Sequence, residues 1–383
     1  MKLTILGATG SIGGSTLDIV QRYREQFPCY ALVGHRNVRR MAESIAAVEP
    51  ELAIMTDEGA ARELRTLAPS CRVESGMEAA TAAACEPSVD MVMAAMVGAV
   101  GIPAALAAVE AGKRVGLANK ECLVTAGSLF MAAERAANAT IIPVDSEHAA
   151  VWQALSGHDS SSVTKIVLTA SGGPFRDRDP DSLADVTPEQ AVAHPNWDMG
   201  AKISIDSATM MNKALELIEA KWLFGVDADK LAAIIHPQSI VHAMVHYRDG
   251  SVMAHLGVAD MRCPIAYALQ QEPRIDAGVA PLDLAAVSAL HFMAVDEERF
   301  PAMRLVRLVL AGGDALAIAL NGANEEANLA FRQRIIRFTD IVAVVEDVLA
   351  QSADMVVTTL DAISSCDQQA RRLARVSIKA RSR

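Results

Sequence analysis

Over the first 144 residues, short runs of apolar residues alternate with segments in which apolar positions recur every three or four residues. Short apolar runs predict buried strands, and the segments between them have the spacing of helices. The predicted strands cover residues 3–6, 30–33, 52–55, 89–95, 114–117 and 140–143. Because strands that alternate with helices indicate βαβ units, this region is predicted to be α/β, a doubly wound parallel sheet with helices on both faces.

The pattern changes after Ser162. The predicted elements are strands at 163–169, 239–247 and 251–256 and a helix at 207–224. The last two strands are joined through Asp249 and Gly250, a dipeptide typical of hairpins. This mixture predicts a central α+β region.

Proline and glycine break the periodicity at residues 271–287, as in a linker. Helical spacing then returns at 301–311, 315–332 and 339–349, which predicts a C-terminal helical bundle, and residues 378–383 are expected to be frayed. The predicted domains are an α/β domain at 1–149, an α+β domain at 150–272, a linker at 273–299 and a helical domain at 300–383.

Composition excludes several classes of function. The 383 residues are 51% apolar and 21% charged, as in a globular protein of more than one domain. The net charge of −11 disfavours binding to nucleic acid or to anionic lipid. A phosphorylated ligand must therefore be held by a local cluster of donors.

An uncharged stretch at residues 91–109 is long enough to cross a bilayer. Gly98, Gly101 and Pro103 interrupt it, so we interpret it as a buried strand, a loop and a helix opened by Pro103, and no membrane span is predicted. The six cysteines form no CxxC pair, and the N-terminal stretch lacks the long apolar core of a signal peptide. A cytoplasmic protein with reduced thiols is expected.

A glycine-rich turn follows the first predicted strand. Gly7, Gly10 and Gly13 precede a helical pattern, a variant of the spacing that lets a backbone approach a dinucleotide pyrophosphate at a helix N-terminus. An ordinary glycine turn is the alternative, but the order of strand, glycines and helix favours a Rossmann-like domain. After the second strand, Arg36 stands with His35 and Asn37 where an NAD site would have an acid, which favours the 2′-phosphate of NADPH.

Carboxylates follow the strand at 140–143. If the segment is extended, Asp145 and Glu147 point the same way and suit one divalent cation, with Ser146 on the other side. The alternative interpretation of Asp-Ser-Glu is a helix N-cap.

The helix predicted at 207–224 offers a second polar group. Asn212 lies four residues and Lys213 three residues before Glu216, so the three side chains share one face, which suits phosphate and metal side by side. A surface ion pair between Lys213 and Glu216 is the alternative. Ser171 and the two glycines after it add a hydroxyl and backbone donors of the kind that bind phosphate.

Two further segments carry candidate residues. Lys120 follows a strand at the sheet edge where ligands bind, or is a solvated loop charge. His194 and Trp197 lie in a loop rich in helix breakers, typical of a lid, although a packed tryptophan is equally consistent. His242 and His246 have HxxxH spacing on a predicted strand without the glutamate of a zinc protease, so zinc is disfavoured.

Seven strings, in this order, closely resemble the 1-deoxy-D-xylulose 5-phosphate reductoisomerase family. They are GATGSIG, LANKE, PVDSEH, ASGGPF, HPNWDMG, KISIDSATMMNKALELIEA and IIHPQSIVH. The resemblance implies an NADP-dependent oxidoreductase that isomerises 1-deoxy-D-xylulose 5-phosphate by retro-aldol and aldol steps and reduces it to 2-C-methyl-D-erythritol 4-phosphate, in non-mevalonate isoprenoid biosynthesis. It also implies a catalytic central domain, a homodimer and a lid.

The resemblance assigns roles position by position. The implied Mg²⁺ or Mn²⁺ ligands are Asp145, Glu147 and Glu216, which with Lys120 form the catalytic set. The implied substrate contacts are Lys120, Ser146, Ser171, His194, Ser207, Asn212 and Lys213, to which we add Trp197 from the predicted lid and the metal ligands Glu147 and Glu216. The implied NADPH contacts, with Gly7, Gly13 and His35 added from the motifs above, are Thr9, Gly10, Ser11, Ile12, Arg36, Asn37, Asn119, Glu121 and Gly200. His35 and Arg36 stand where Gly-Lys is usual in the family, which bears on how the 2′-phosphate is held.

Two other functions fit parts of the sequence. A semialdehyde-type dehydrogenase also opens with a strand and a GATG-like turn, but it needs a nucleophilic cysteine, for which Cys122 is the nearest candidate. An NADPH-sensing regulator would keep the dinucleotide site without the carboxylates. Asp145, Glu147 and Glu216 therefore distinguish the three functions.

Overall fold

The computed structural model describes residues 1–193, 196–197, 200–352 and 355–382. Up to residue 155, strands and helices alternate in chain order. They are β1 (Leu3–Leu6), α1 (Ser11–Arg22), β2 (Cys29–Gly34), α2 (Val38–Val48), β3 (Leu52–Met55), α3 (Glu58–Leu67), β4 (Arg72–Ser75), α4 (Met77–Cys85), β5 (Met91–Ala94), α5 (Ile102–Glu110), β6 (Arg114–Leu117), α6 (Lys120–Ala137), β7 (Thr140–Pro143) and α7 (Ser146–Leu155).

These strands form one parallel sheet with the order β4-β3-β2-β1-β5-β6-β7. The doubly wound α/β fold is confirmed. The strand order reverses between β1 and β5, and in open α/β sheets ligands bind outside the carboxyl ends of the strands at that reversal. Strand β4 was not predicted, because its sequence, RVES, is polar and lies at the sheet edge.

The uncharged stretch at 91–109 forms β5, a short 3-10 turn at Ala99–Gly101 and α5, which has Pro103 in its first turn. The interpretation as strand, loop and helix is confirmed. Within the described residues, the helices are too short or too polar to cross a bilayer.

The remaining elements begin at residue 163. They are β8 (Val163–Ala170), α8 (Pro188–Val192), α9 (Ala201–Ala208), α10 (Met211–Phe224), β9 (Leu231–Ile235), β10 (Val241–Tyr247), β11 (Val252–Leu256), α11 (Arg262–Leu269), α12 (Leu284–Val287), α13 (Ala302–Ala311), α14 (Asp314–Arg332), α15 (Asp340–Leu349) and α16 (Leu360–Arg381). A four-stranded sheet has the order β11-β10-β8-β9, with β10 and β11 paired as the predicted hairpin.

Two predictions about helices are wrong. The helix expected at 207–224 is two helices, because Met210 adopts a left-handed conformation (φ +62°) between α9 and α10. The C-terminal residues expected to be frayed are helical as far as Arg381, where α16 ends.

The chain divides into two compact units. The first unit contains Met1–Cys122, Phe130–Ala149 and Asp260–Ala280, and the second contains Leu123–Leu129, Ala150–Ala259 and Pro281–Arg383. Each has its own apolar core. In the first unit it is built from one face of the parallel sheet with helices α1 to α3 and α11, and in the second from the four-stranded sheet and helices α10 and α13 to α15. The central and C-terminal regions lie together in the second unit, and residues 260–280 pack in the first. The division into four parts stays a prediction.

Candidate active site

The glycine turn at the end of β1 is built so that only glycine fits. Gly7 has φ +85°, and a Cβ there would lie 2.4 Å from the carbonyl oxygen of Ala95. A Cβ on Gly13 would lie 2.3 Å from the carbonyl oxygen of Gly7. The first turn of α1, which reads SIGG after the Gly10 cap, carries no acidic side chain. Its backbone N–H groups therefore suit a pyrophosphate.

The residues that follow β2 contact those that follow β3. The Nδ1 atom of His35 is 2.8 Å from Oγ1 of Thr56, and Nε of Arg36 donates to Oδ2 of Asp57 over 2.9 Å. Asn37 caps α2 by accepting from the N–H of Arg40. No acidic residue directly follows β2, as the sequence indicates. The acid at this edge of the sheet is Asp57, which follows β3 and was not predicted.

The start of α6 carries three predicted site residues. Asn119 caps the helix by accepting from the N–H of Glu121 over 3.0 Å, and its amide donates to the carbonyl of Gly98 over 3.0 Å. Lys120 forms an ion pair with Asp145, so it is not the solvated loop charge considered as an alternative. Asn119 and Glu121 are both buried.

The carboxylates after β7 lie at the start of a helix and not in an extended segment, which were the two conformations considered for them. Helix α7 begins at Ser146, and the N–H of Ala149 donates to the carbonyl of Asp145 over 2.8 Å. Asp145 and Glu147 still place one carboxylate oxygen each within 4.8 Å of the other. Two carboxylates at that spacing are a donor set that Mg²⁺ or Mn²⁺ accepts.

In the second unit, one face of α10 carries the predicted amide, ammonium and carboxylate. Asn212 donates to Oε1 of Glu216, and Lys213 donates to Oε2 of the same carboxylate. The side chains of Lys213 and Glu216 are only 3% and 1% exposed. The surface ion pair considered as an alternative is therefore wrong, because this pair is buried.

Ser171 lies in a tight turn after β8. Its Oγ accepts from the N–H of Gly173 over 3.1 Å. Gly173 has φ +66°, and a Cβ there would lie 2.9 Å from the carbonyl oxygen of Ser207. The two predicted hydroxyls therefore come from segments that pack directly on each other.

A buried carboxylate next to Ser207, which was not predicted from the sequence, fixes α9. Oδ1 of Asp206 accepts from the amides of Asn324 and Asn328 in α14, both over 2.9 Å. The ammonium of Lys202 lies 3.2 Å from its other oxygen. The i, i+4 spacing of the two asparagines within a helical pattern was the only signal available.

The segment that we predict to be a lid is described in part. His194 lies outside the described residues. Trp197 is half-buried, with its ring centre 6.5 Å from that of His242. Asn196 donates to the carbonyl of Pro237 over 2.6 Å and to Oγ of Ser239 over 2.9 Å. Gly200 precedes α9 at its N-cap.

Comparison with known proteins gives matches over nearly the whole chain. Family profiles described as 1-deoxy-D-xylulose 5-phosphate reductoisomerase, its C-terminal domain, and the DXP reductoisomerase C-terminal domain match residues 3–127, 141–224 and 256–373. The enzyme of that name from Cupriavidus pinatubonensis is 51% identical, with 99% of this chain and 98% of that protein covered. Its namesake from Pseudomonas aeruginosa is 50% identical over 97% of this chain and 96% of that protein.

Solved structures give the same result. The reductoisomerase from Zymomonas mobilis in complex with NADPH is 40% identical with a TM-score of 0.93, and the alignment covers 99% of both chains. A DOX-P reductoisomerase in complex with NADPH, fosmidomycin and magnesium is 40% identical with a TM-score of 0.94, over 99% of this chain and 98% of that one.

Proposed function

The chain belongs to the 1-deoxy-D-xylulose 5-phosphate reductoisomerase family, and on that premise we propose which of its residues carry the reaction. It uses NADPH and a divalent cation to convert 1-deoxy-D-xylulose 5-phosphate into 2-C-methyl-D-erythritol 4-phosphate. A carbon–carbon bond beside a ketone is broken and remade, and the aldehyde that results is reduced by hydride.

The observation that carries the assignment is the buried pair of Lys213 and Glu216. Burying two charges costs free energy, and apolar side chains of similar size would stabilise the fold at least as well. A ligand-binding role therefore accounts for this pair better than packing does. We assign Glu216, with Asp145 and Glu147, as ligands of the cation. A divalent cation bound there supplies Lewis-acid stabilisation of the negative charge that develops on substrate oxygens.

The substrate phosphate needs donors that work against the negative charge of the protein. Lys213 supplies an ammonium, Asn212 an amide, and Ser171 and Ser207 hydroxyls, and His194 and Ser146 are further proposed substrate contacts. Holding the phosphate fixes one end of the sugar, so that a fragment released by bond cleavage stays oriented for re-addition. Lys120 at the start of α6 is assigned to a reacting oxygen of the substrate, because its ion pair with Asp145 places its ammonium beside a proposed ligand of the cation.

NADPH is assigned to the carboxyl ends of β1, β2 and β6. The Gly7 to Gly13 turn, with Thr9, Ser11 and Ile12, takes the pyrophosphate, because its steric limits leave room for backbone donors alone. Arg36, Asn37 and His35 take the adenosine 2′-phosphate. Asn119, Glu121 and Gly200 are assigned to the remaining cofactor contacts.

The alternative functions are not favoured. A semialdehyde-type dehydrogenase needs an accessible thiolate, but Cys122 is fully buried in α6. A non-catalytic NADPH-sensing regulator would not need the buried ion pair of Lys213 and Glu216 or the proposed phosphate donors around it.

The test is an assay of NADPH oxidation with 1-deoxy-D-xylulose 5-phosphate. We expect turnover with Mg²⁺ or Mn²⁺, loss of turnover on addition of a chelator, and recovery when the metal is restored in excess. NADPH oxidation that is insensitive to chelation would contradict the assigned metal chemistry, and the absence of any turnover with this substrate would contradict the assigned function.

We also propose that the chain forms a homodimer through the four-stranded sheet. Edge strand β11 exposes the apolar side chains of Val252, Met253 and Leu256. Val252 and Phe292 line a cavity of about 950 Å³ on the second unit. Exposed edges and apolar patches of this kind favour pairing between chains. Sedimentation should give a dimer, which Val252→Lys weakens, whereas Leu67→Lys, at an exposed apolar position of the first unit, leaves it intact.

A cytoplasmic location is proposed from the cysteines. All six are free thiols, and burial raises the pKa of Cys29 to about 12, so that thiol stays protonated. Scattered reduced thiols are typical of a reducing compartment. Cell fractionation should recover the protein with cytoplasmic markers.

A further inference from the structure

The carboxyl ends of β2 and β3 are joined by side-chain contacts. The two strands pair in parallel, with Gly34 opposite Met55, so the residues that follow each strand emerge side by side. Arg36 then reaches Asp57, and His35 reaches Thr56. The residues assigned to the 2′-phosphate are therefore supported by a second layer of residues from β3.

Asp57 is the fixed member of the pair with Arg36. It is the N-cap of α3, where Oδ1 accepts from the N–H of Ala60 over 2.9 Å while Oδ2 accepts from Arg36. Helix α3 is in turn held by buried Ala61 and Leu64. The hydrogen bonds from Ala60 and Arg36 lower the pKa of Asp57, so it stays ionised at neutral pH.

Arg36 is the more exposed partner, with 73% of its side chain accessible against 26% for Asp57. Its bond to Asp57 uses Nε. Over the part of the chain that the structure describes, the two terminal nitrogens of Arg36 contact no protein acceptor. These nitrogens form a planar edge that matches two phosphate oxygens.

We propose that Asp57 is a positioning residue for cofactor selection, which holds the guanidinium of Arg36 with its outer edge presented to the 2′-phosphate of NADPH. The proposal rests on the assignment of Arg36 to that phosphate. An unrestrained arginine would lose side-chain entropy on binding, and Asp57 removes part of that loss in advance. NADH, which lacks the phosphate, gains nothing from the arrangement.

The test compares Asp57→Asn, Arg36→Ala and the double variant, with KM for NADPH and for NADH measured on each. Asparagine is as good an N-cap as aspartate, so α3 and the melting temperature should be preserved in Asp57→Asn. Because exposed ion pairs have modest energies, we expect KM for NADPH to rise about 5-fold in Asp57→Asn. KM for NADH should not change. The double variant should match Arg36→Ala, since Asp57 acts through Arg36.

Glu43→Gln is the matched control, because Glu43 forms an exposed ion pair with Arg39 on α2 and should affect neither cofactor. If Arg36→Ala leaves KM for NADPH unchanged, the assignment of Arg36 fails. If Arg36→Ala raises that KM but Asp57→Asn leaves it unchanged or lowers it, the positioning role of Asp57 is overturned, and a lowered KM would identify Asp57 as a charge that repels the phosphate.

Discussion

Lys213 and Glu216 lie one turn apart on α10 and neutralise each other in a nearly solvent-free environment. The ammonium of Lys213 offsets the free-energy cost of burying the Glu216 carboxylate, which we assign as a ligand of the cation. The pair therefore links stability to the proposed chemistry, and substitution of Glu216 should change both.

Glu216→Gln should reduce turnover by at least about 100-fold and weaken activation by Mg²⁺ to a similar extent, because it removes a charged ligand. It should also lower the free energy of unfolding by about 3–5 kcal/mol, since the Lys213 charge loses its balancing carboxylate in a buried site. Metal titrations of activity, together with urea denaturation, measure both effects. Glu43→Gln, which alters an exposed pair, should change neither. Unaltered metal activation in Glu216→Gln would show that Glu216 is not a ligand.

Gly13→Ala and Gly14→Ala should differ sharply although the residues are neighbours in α1. A Cβ at Gly13 meets backbone atoms of Gly7 and Ala8, which cannot move without disrupting the turn. A Cβ at Gly14 meets only the end of the flexible Arg40 side chain. Fluorescence titration should show loss of NADPH binding by more than about 10-fold in Gly13→Ala, with a lower melting temperature. Near-wild-type binding in both variants would contradict the geometry of the turn.

Trp197→Ala should raise KM for the sugar phosphate and slow turnover, with little change in melting temperature, because a lid residue packs on bound ligand. Trp222→Ala is the control. Its ring packs against Gly127 and the core of the second unit, so its loss should cost about 3–5 kcal/mol of stability without a specific effect on KM. If Trp197→Ala melts as early as Trp222→Ala and keeps normal kinetics, Trp197 is a core residue.

Stability should fall as the pH decreases below 6.5, in part because of His236. Burial lowers the pKa of this imidazole below 6.5, and the neighbouring His291 adds to the shift, although a hydrogen bond with the His291 carbonyl opposes it. The unfolded chain therefore takes up the proton first as the pH falls, and the native state loses stability until the pH passes below the lowered pKa. His236→Gln should have a shallower dependence of unfolding free energy between about pH 7 and pH 5 in urea titrations. Equal slopes in the two proteins would contradict this contribution.

The hydrophobic pattern of the sequence predicts those elements that are buried in a regular way. The strands of the first sheet could be predicted because each central strand is a continuous apolar run between helices. β9 escaped notice because its sequence, LAAII, suits a helix or a strand. The break between α9 and α10 has no proline or glycine to mark it, since Met210 adopts the left-handed conformation itself.

The candidate site was predicted as a set of residue types but not as contacts. Motif spacing located Lys213 and Glu216 on one face of a helix, yet it could not distinguish a surface pair from a buried one. Asp57 and Asp206 were missed because their partners lie on other elements, and only strand order or helix packing brings them together. Contacts between neighbouring strand ends follow from the parallel order, so Asp57 is a residue that strand topology can reveal.

Through the hydrogen bonds from Asn324 and Asn328 to Asp206, helix α14 stabilises α9, which lies more than a hundred residues earlier in the chain. A fragment that ended before α14 would retain every residue assigned to substrate, metal and NADPH, yet it would lose both asparagine donors to Asp206 and part of the apolar core of the second unit. The smallest active fragment is therefore expected to include α14, although the last residue assigned to a ligand is Glu216. Substitutions of Asn324 or Asn328 are therefore expected to impair catalysis without altering any ligand contact.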